Sequence, residues 1–266
     1  MNENVLLIND MTGYGKVSLS VMIPVLSQMQ VQVHNLPTAL VSNTLDYGKF
    51  NMLDTTDFMQ NTLKVWDEMG FEFDAIATGL ILNKKQVEII HEYCSKQSAK
   101  NVLILCDPIM ADEGQLYPGI EQSTIECMKQ LISCADYIVP NYTEACFLTN
   151  EAYTENPSKE RVIGIINKLR NTGAKSVIIT SVTQEDVHSV WGYDHIMDCY
   201  FSLPYKKIPV RMPGTGDIFS AILLGKLLQS CSLKKSVQEA MGIVYELIEK
   251  NQYNKDLLKG IEIECS

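Results

Sequence analysis

The chain of 266 residues is 46% apolar and 20% charged, which excludes fibrous, low-complexity and disordered classes and leaves enough material for a sizeable core. Its 22 basic and 32 acidic residues give a net charge of −10, which argues against nucleic acid or an anionic membrane as the main partner. A single phosphorylated ligand stays open, since backbone N–H groups and a divalent cation can bind it on an acidic protein.

The eight cysteines include no CxxC pair, and no HExxH accompanies the four histidines, so zinc and dithiol signatures are missing. Cysteines inside apolar runs, such as Leu105-Cys106 and Ala145-Cys146-Phe147, read as reduced, packed thiols and point to a cytoplasmic setting. The amino-terminal residues lack a basic region and a long apolar run. No stretch approaches the ~18 apolar residues of a membrane span.

In chain order, Val5 to Asn9 is the first strand-length apolar run, and Asp10 with the Gly13-Tyr14-Gly15 turn follows it. Gln32 to Val41 reads as extended around Pro37. Asp54 then opens a helix with Phe58, Thr62, Leu63, Trp66 and Met69 on one face, closed by Gly70. Phe73 to Ala77 is a second buried strand, and Asn83 with Gln86 reads as a capping box. Val102 to Cys106, Tyr137 to Val139 and Ser176 to Thr180 are further strands, with Asn156-Pro157 placing Pro at a first helical position. Val187 to Leu203 reads as a hairpin turning near Gly192-Tyr193-Asp194, and the residues after Ser232 have helical spacing.

Unalternating strands between helices predict an α/β fold: a doubly wound, mostly parallel central sheet covered by helices, with a small antiparallel edge or flap. No repeat or linker interrupts it, so residues 1–266 are expected to form one domain. Ligands of such folds bind outside the carboxyl ends of the strands.

The most informative stretch is Pro213-Gly214-Thr215-Gly216-Asp217, running straight into the apolar helix Ile218-Phe219-Ser220-Ala221. Backbone N–H groups at such a helix start meet the positive end of the macrodipole and suit a phosphoryl group in transfer. Asp217 could then orient an attacking hydroxyl and take its proton; the alternative is an ordinary helix-start residue beside a turn.

With this turn, the chain resembles the ribokinase-like small-molecule kinases, most of all the vitamin B6 (pyridoxal, pyridoxine and pyridoxamine) kinases. Four more motifs carry the resemblance along nearly the whole chain: Asp10 to Gly15, Cys106-Asp107-Pro108-Ile109-Met110-Ala111-Asp112, Val139-Pro140-Asn141-Tyr142-Thr143-Glu144-Ala145, and Ile178-Ile179-Thr180-Ser181. The resemblance implies ATP and Mg²⁺ as cofactors, with Asp217 as catalytic base and Gly214, Thr215 and Gly216 around the transferring group. It places Asp107, Asn141, Glu144, Thr180 and Ser181 at the nucleotide, Asp112 and Glu144 at the metal, and Asp10, Ser42, Thr44, Tyr117 and Asp217 at the acceptor. It further implies a homodimer, for which the Gln32 to Asn43 region is the expected interface.

Each motif has a plainer reading as well. Asn141-x-x-Glu144 is a capping-box spacing, Asp107 and Asp112 alone would be solvated loop acids, and Asp10 fits an Asx turn. Thr180 and Ser181 fit a helix cap or turn, and Tyr117 fits packing. Three positions depart from the family pattern: Ala111 replaces a Gly, Val139 a Thr, and Thr44-Leu45-Asp46 a His-Thr-Gly segment. The expected activity is therefore phosphorylation of the 5′-hydroxymethyl group of a B6 vitamer. The alternatives are a hydroxymethylpyrimidine kinase and a nucleotide- or vitamer-binding protein without efficient catalysis.

Overall fold

The first strand is longer than its apolar run. In the computed structural model, which describes residues 3–117 and 120–263, β1 spans Asn4–Tyr14 and pairs in parallel with β2, Gln32–Asn43, on both sides of a register irregularity between Asn9 and Met11. Asp10 and Gly13 are therefore strand residues, not a turn. Glycine at 13 reflects close backbone approach, since a Cβ there would lie 3.1 Å from the Ser42 carbonyl oxygen. The chain turns at Gly15, at φ 117°, and enters α1, Leu19–Gln28.

Two compact units make up the chain, Met1–Gly79 with Ile208–Ser266, and Leu80–Lys207. In the first, β3, Met52–Asp54, pairs antiparallel with β2, and β4, Ala75–Thr78, pairs in parallel with β1. Between them lies α2, Thr56–Met69, closed by Gly70 in the left-handed conformation. Its buried side chains are Met59 and Leu63, whereas Phe58 and Met69 stand exposed. Of the face expected, Leu63 is buried and Thr62 and Trp66 half-buried, with Met59 in place of Phe58 and Met69.

The second unit begins with α3, Lys84–Ser98, and β5, Leu103–Cys106. Asn83 caps α3 by accepting from the Gln86 N–H, and the Gln86 side chain accepts from the Leu82 N–H. A short ribbon, β6 at Ala111–Asp112 and β7 at Gln115–Leu116, follows, then α4, Ser123–Ile132, β8, Tyr137–Ile138, and α5, Tyr142–Leu148. Helix α6, Lys159–Asn171, starts at a Ser158 cap, so Pro157 precedes the helix instead of opening it. The unit closes with β9, Ser176–Gln184, β10, Val187–Asp194, and β11, Cys199–Tyr205.

Strand β8 pairs in parallel with β5 and β9, and β9-β10-β11 form the antiparallel edge. The β10–β11 turn lies past Asp194, whose carboxylate accepts from the Ile196 and Met197 N–H groups. Gly192 stays in the strand because the Phe201 ring of its cross-strand partner covers it.

Back in the first unit lie α7, Thr215–Leu228, and α8, Leu233–Asn251. Every residue from Asp217 to Gly225 in α7 is buried, as expected of a helix apolar all round. At about 1.5–3 kcal/mol for each buried Leu or Ile, this packing fixes the position of the helix start and of Asp217. Among the described residues no helix is long and apolar enough to cross a membrane.

Candidate active site

Asp217 is the third residue of α7, and its cap residue Gly214 has φ 87°. Only glycine fits there: a Cβ would stand 2.4 Å from the Lys16 carbonyl oxygen, in a backbone region that L residues rarely adopt. Asp217 is 8% exposed and both of its oxygens are held. Oδ2 accepts from the Ser18 N–H at 2.8 Å, and Oδ1 accepts from Asn9 Nδ2 at 3.2 Å. Ser18 holds φ 50°, a strained conformation for a non-glycine residue that persists where the surroundings enforce it. Gly216 is exposed with open space around its Cα, and the Thr215 hydroxyl donates to the Met212 carbonyl at 3.4 Å.

Asp10 lies on the same network. Its carboxyl accepts from the Thr12 hydroxyl at 3.0 Å and hydrogen-bonds the Ser18 side chain. Burial pushes its pKa above the ordinary carboxylate value, and these hydrogen bonds offset only part of the effect. Ser42 and Thr44 are engaged by the chain itself. The Ser42 hydroxyl donates to Asn43 Oδ1 and accepts from the Asn51 N–H, and the buried Thr44 hydroxyl donates to the Leu258 carbonyl at 2.8 Å. Asp46 pairs with Arg211 at 3.3 Å, so its charge is answered at the surface.

A second acidic group belongs to the other unit. Asn141 and Glu144 form a complete capping box at the start of α5. Glu144 Oε2 accepts from the Asn141 N–H at 2.8 Å, and Oε1 accepts from Met110 and Ala111 N–H at 3.0 and 3.4 Å. The Asn141 amide donates to the Ala111 carbonyl at 2.6 Å, so one box clamps the loop after β5. Complete burial, reinforced by the neighbouring Asp107 charge, pushes the Glu144 carboxyl well above its ordinary pKa. Asp107 is buried, Asp112 is half-buried at the ribbon, and the Tyr117 N–H donates to the Met110 carbonyl. The positive φ values of this ribbon fall on Glu113 and Gly114, not on Ala111, so the missing glycine costs the turn nothing. Thr180 bridges to Asn141, and Ser181, at φ 59°, bulges from β9 with its side chain exposed. Val139 is buried and offers no hydroxyl.

The structure thus gathers Asp10, Asp217 and the glycine turn in one unit, and Asp107, Asp112, Asn141, Glu144, Thr180 and Ser181 in the other. Asn9 and Ser18 are the polar groups that the sequence reading missed. A polar Asn directly after the apolar run of β1 was the available signal.

The family comparison matches residues 23–260 to phosphomethylpyrimidine kinase. The chain belongs to that family. A Bacteroides thetaiotaomicron protein assigned to phosphomethylpyrimidine kinase, solved with pyridoxal, is 33% identical, with a TM-score of 0.95 over 100% of this chain and 94% of that one. Pyridoxal kinase from Lactobacillus plantarum is 28% identical with a TM-score of 0.88, covering 98% and 94% of the two chains. A pyridoxal kinase of Rubrobacter xylanophilus is 25% identical over 93% of this chain and 87% of its own. The fold of this family member is accordingly the ribokinase-like one that the five motifs imply.

Proposed function

We propose that this protein transfers the γ-phosphoryl group of ATP to the 5′-hydroxymethyl group of pyridoxal, pyridoxine or pyridoxamine. The acceptor hydroxyl gives its proton to Asp217 as its oxygen bonds to the γ-phosphorus, the bond to the β-phosphate bridging oxygen breaks, and ADP leaves. The carrying observation is the buried Asp217 carboxylate, fixed by two N–H donors in the first turn of a helix capped by a left-handed glycine. Backbone N–H groups at Gly214 to Gly216 suit the charge that develops on the transferring group. Asp10, with its raised pKa, suits hydrogen bonding to a pyridine ring nitrogen.

Asp107, Asn141, Thr180 and Ser181 are assigned to the nucleotide, and Tyr117 to recognition of the acceptor. The Asp107–Glu144 pair has the chemistry of a cation site, because each charge raises the cost of the other. Among the described residues no cluster of three ligating side chains stands ready for a metal. Mg²⁺ needs only one or two carboxylates when phosphates and water complete its shell. Asp112 and Glu144 would hold it, Glu144 through water since backbone N–H groups already occupy both its oxygens. The ion would neutralise charge on the phosphate oxygens.

A homodimer accords with the exposed Leu40, Leu53 and Phe58 of β2, β3 and α2. The seven described cysteines are all free, which accords with the cytoplasm. The family match also favours a second reading, a hydroxymethylpyrimidine kinase. Comparing kcat/KM for the three B6 vitamers and hydroxymethylpyrimidine, by ADP release with MgATP, separates the two. A clear vitamer preference is expected, and turnover of the pyrimidine alone would replace the leading reading.

A further inference from the structure

We propose that Asn9 is a positioning residue for Asp217, presenting the carboxylate to the acceptor hydroxyl in one fixed orientation. This inference rests on the role of Asp217 given above. Asn9 is 2% exposed, and its amide has one allowed orientation. Its Oδ1 accepts from the Asp10 N–H at 2.9 Å, so Nδ2 must face the other way, toward Asp217 Oδ1 at 3.2 Å and Met22 Sδ at 3.6 Å. The backbone of β1 thereby sets which end of the amide meets the carboxylate.

The space for this amide is built as well. A Cβ on Gly79 would stand 2.4 to 2.5 Å from the Cγ, Nδ2 and Oδ1 atoms of Asn9, so the residue after β4 leaves room for that side chain and for no larger neighbour. Ser18 completes the frame, its N–H on Asp217 Oδ2 and its side chain on Asp10. A carboxylate held at both oxygens by N–H donors is fixed in one rotational setting. An acceptor in place of Nδ2 would repel it. Asp10 is a second titratable group on this network: its backbone N–H meets Asn9, and its carboxyl meets Ser18, whose own N–H is on Asp217.

Asn9→Asp tests the inference because it keeps shape and replaces the donor by a carboxylate, while Asn9→Ala removes the amide. Both are measured beside wild type and Asp217→Asn for kcat, KM of vitamer and ATP, the pH profile of kcat, and thermal melting. Loss of one hydrogen bond to a charged group corresponds to a fall in kcat of about 10- to 100-fold, expected with KM for ATP near wild type. The acid limb of the Asn9→Asp profile is expected to move to higher pH, since two adjacent carboxyls titrate as a pair. In the double variant Asn9→Asp/Asp217→Asn, no loss beyond that of Asp217→Asn is expected.

Wild-type kcat and pH profile in Asn9→Asp, with Asp217→Asn inactive, would overturn the positioning role and leave the Asp217 assignment standing. Wild-type kcat in Asp217→Asn would overturn both. A lowered melting temperature with unchanged kcat and profile would mark Asn9 as structural only and also overturn the inference. Should the Asn9 variants fail to fold, Gly79→Ala displaces the same amide without removing it and must lower kcat in the same way; wild-type kcat there would count against the proposal.

Discussion

Asp217 and Glu144 occupy the same position, third in their helices, and meet different fates because their cap residues differ. Asn141 caps α5 with its own side chain, and Glu144 reaches back to the cap N–H and onward to the loop after β5. Its oxygens are spent on backbone. Gly214 has no side chain to offer α7, and the carboxylate of Asp217 turns instead to Asn9 and Ser18. One helix start closes on itself and organises a loop, while the other leaves its acid on a polar network that includes Asp10. Sequence spacing alone shows an acid near a helix start in both; the cap decides whether its oxygens are taken by backbone N–H groups of its own helix start and loop or by a distant polar network.

The largest effect that sharpens this contrast is expected from Asp217→Asn. Removing a general base lowers kcat by about 10²- to 10⁴-fold, with KM for ATP near wild type and a smaller loss of stability than Glu144→Ala, because the new amide leaves only one N–H donor without an acceptor. The mirror experiment is Glu144→Ala. It leaves three backbone N–H groups without their acceptor and should lower unfolding free energy by about 3 kcal/mol in a denaturant titration. Equal stability losses in the two variants would break the contrast.

Gly214→Ala comes next. The left-handed cap and the contact with Lys16 make a cost of about 2 kcal/mol, and displacement of Asp217 should lower kcat at least about tenfold as well. Smaller is the effect of Asp10→Asn, about tenfold in KM for the vitamer. Its stability has a definite sign with pH. Burial holds the Asp10 pKa above its unfolded value, so ionising the folded protein costs free energy that sets in as pH rises past about 3.9. Asp10→Asn should therefore melt above wild type at neutral pH, with the difference vanishing as pH falls below that value in calorimetry. The smallest effect is expected from Ala111→Gly, within about 0.5 kcal/mol. Ala111 has no positive φ for a glycine to relieve.

What the sequence made legible follows from distance along the chain. The Gly214 to Asp217 turn and the Asn141-x-x-Glu144 box are built from neighbours, and their local geometry matches their spacing. The Asn9 and Ser18 contacts to Asp217 span 208 and 199 residues, and nothing local announces them. Glycine misled twice. Gly13 and Gly192 read as turns, yet each lies in a strand where a carbonyl or an aromatic ring approaches closely. The edges of the α2 face were misplaced for a related reason: period locates the stripe through Leu63 and Trp66, but tertiary packing covers Met59 and leaves Phe58 and Met69 exposed.

The most direct measurement of the central claim is product formation from MgATP and pyridoxal by the wild-type protein and Asp217→Asn. Stoichiometric ADP and pyridoxal 5′-phosphate from wild type, with a loss of about 10²-fold or more in the variant, is the predicted result. Absence of the 5′-phosphate with wild type, or equal rates for the two proteins, would contradict it.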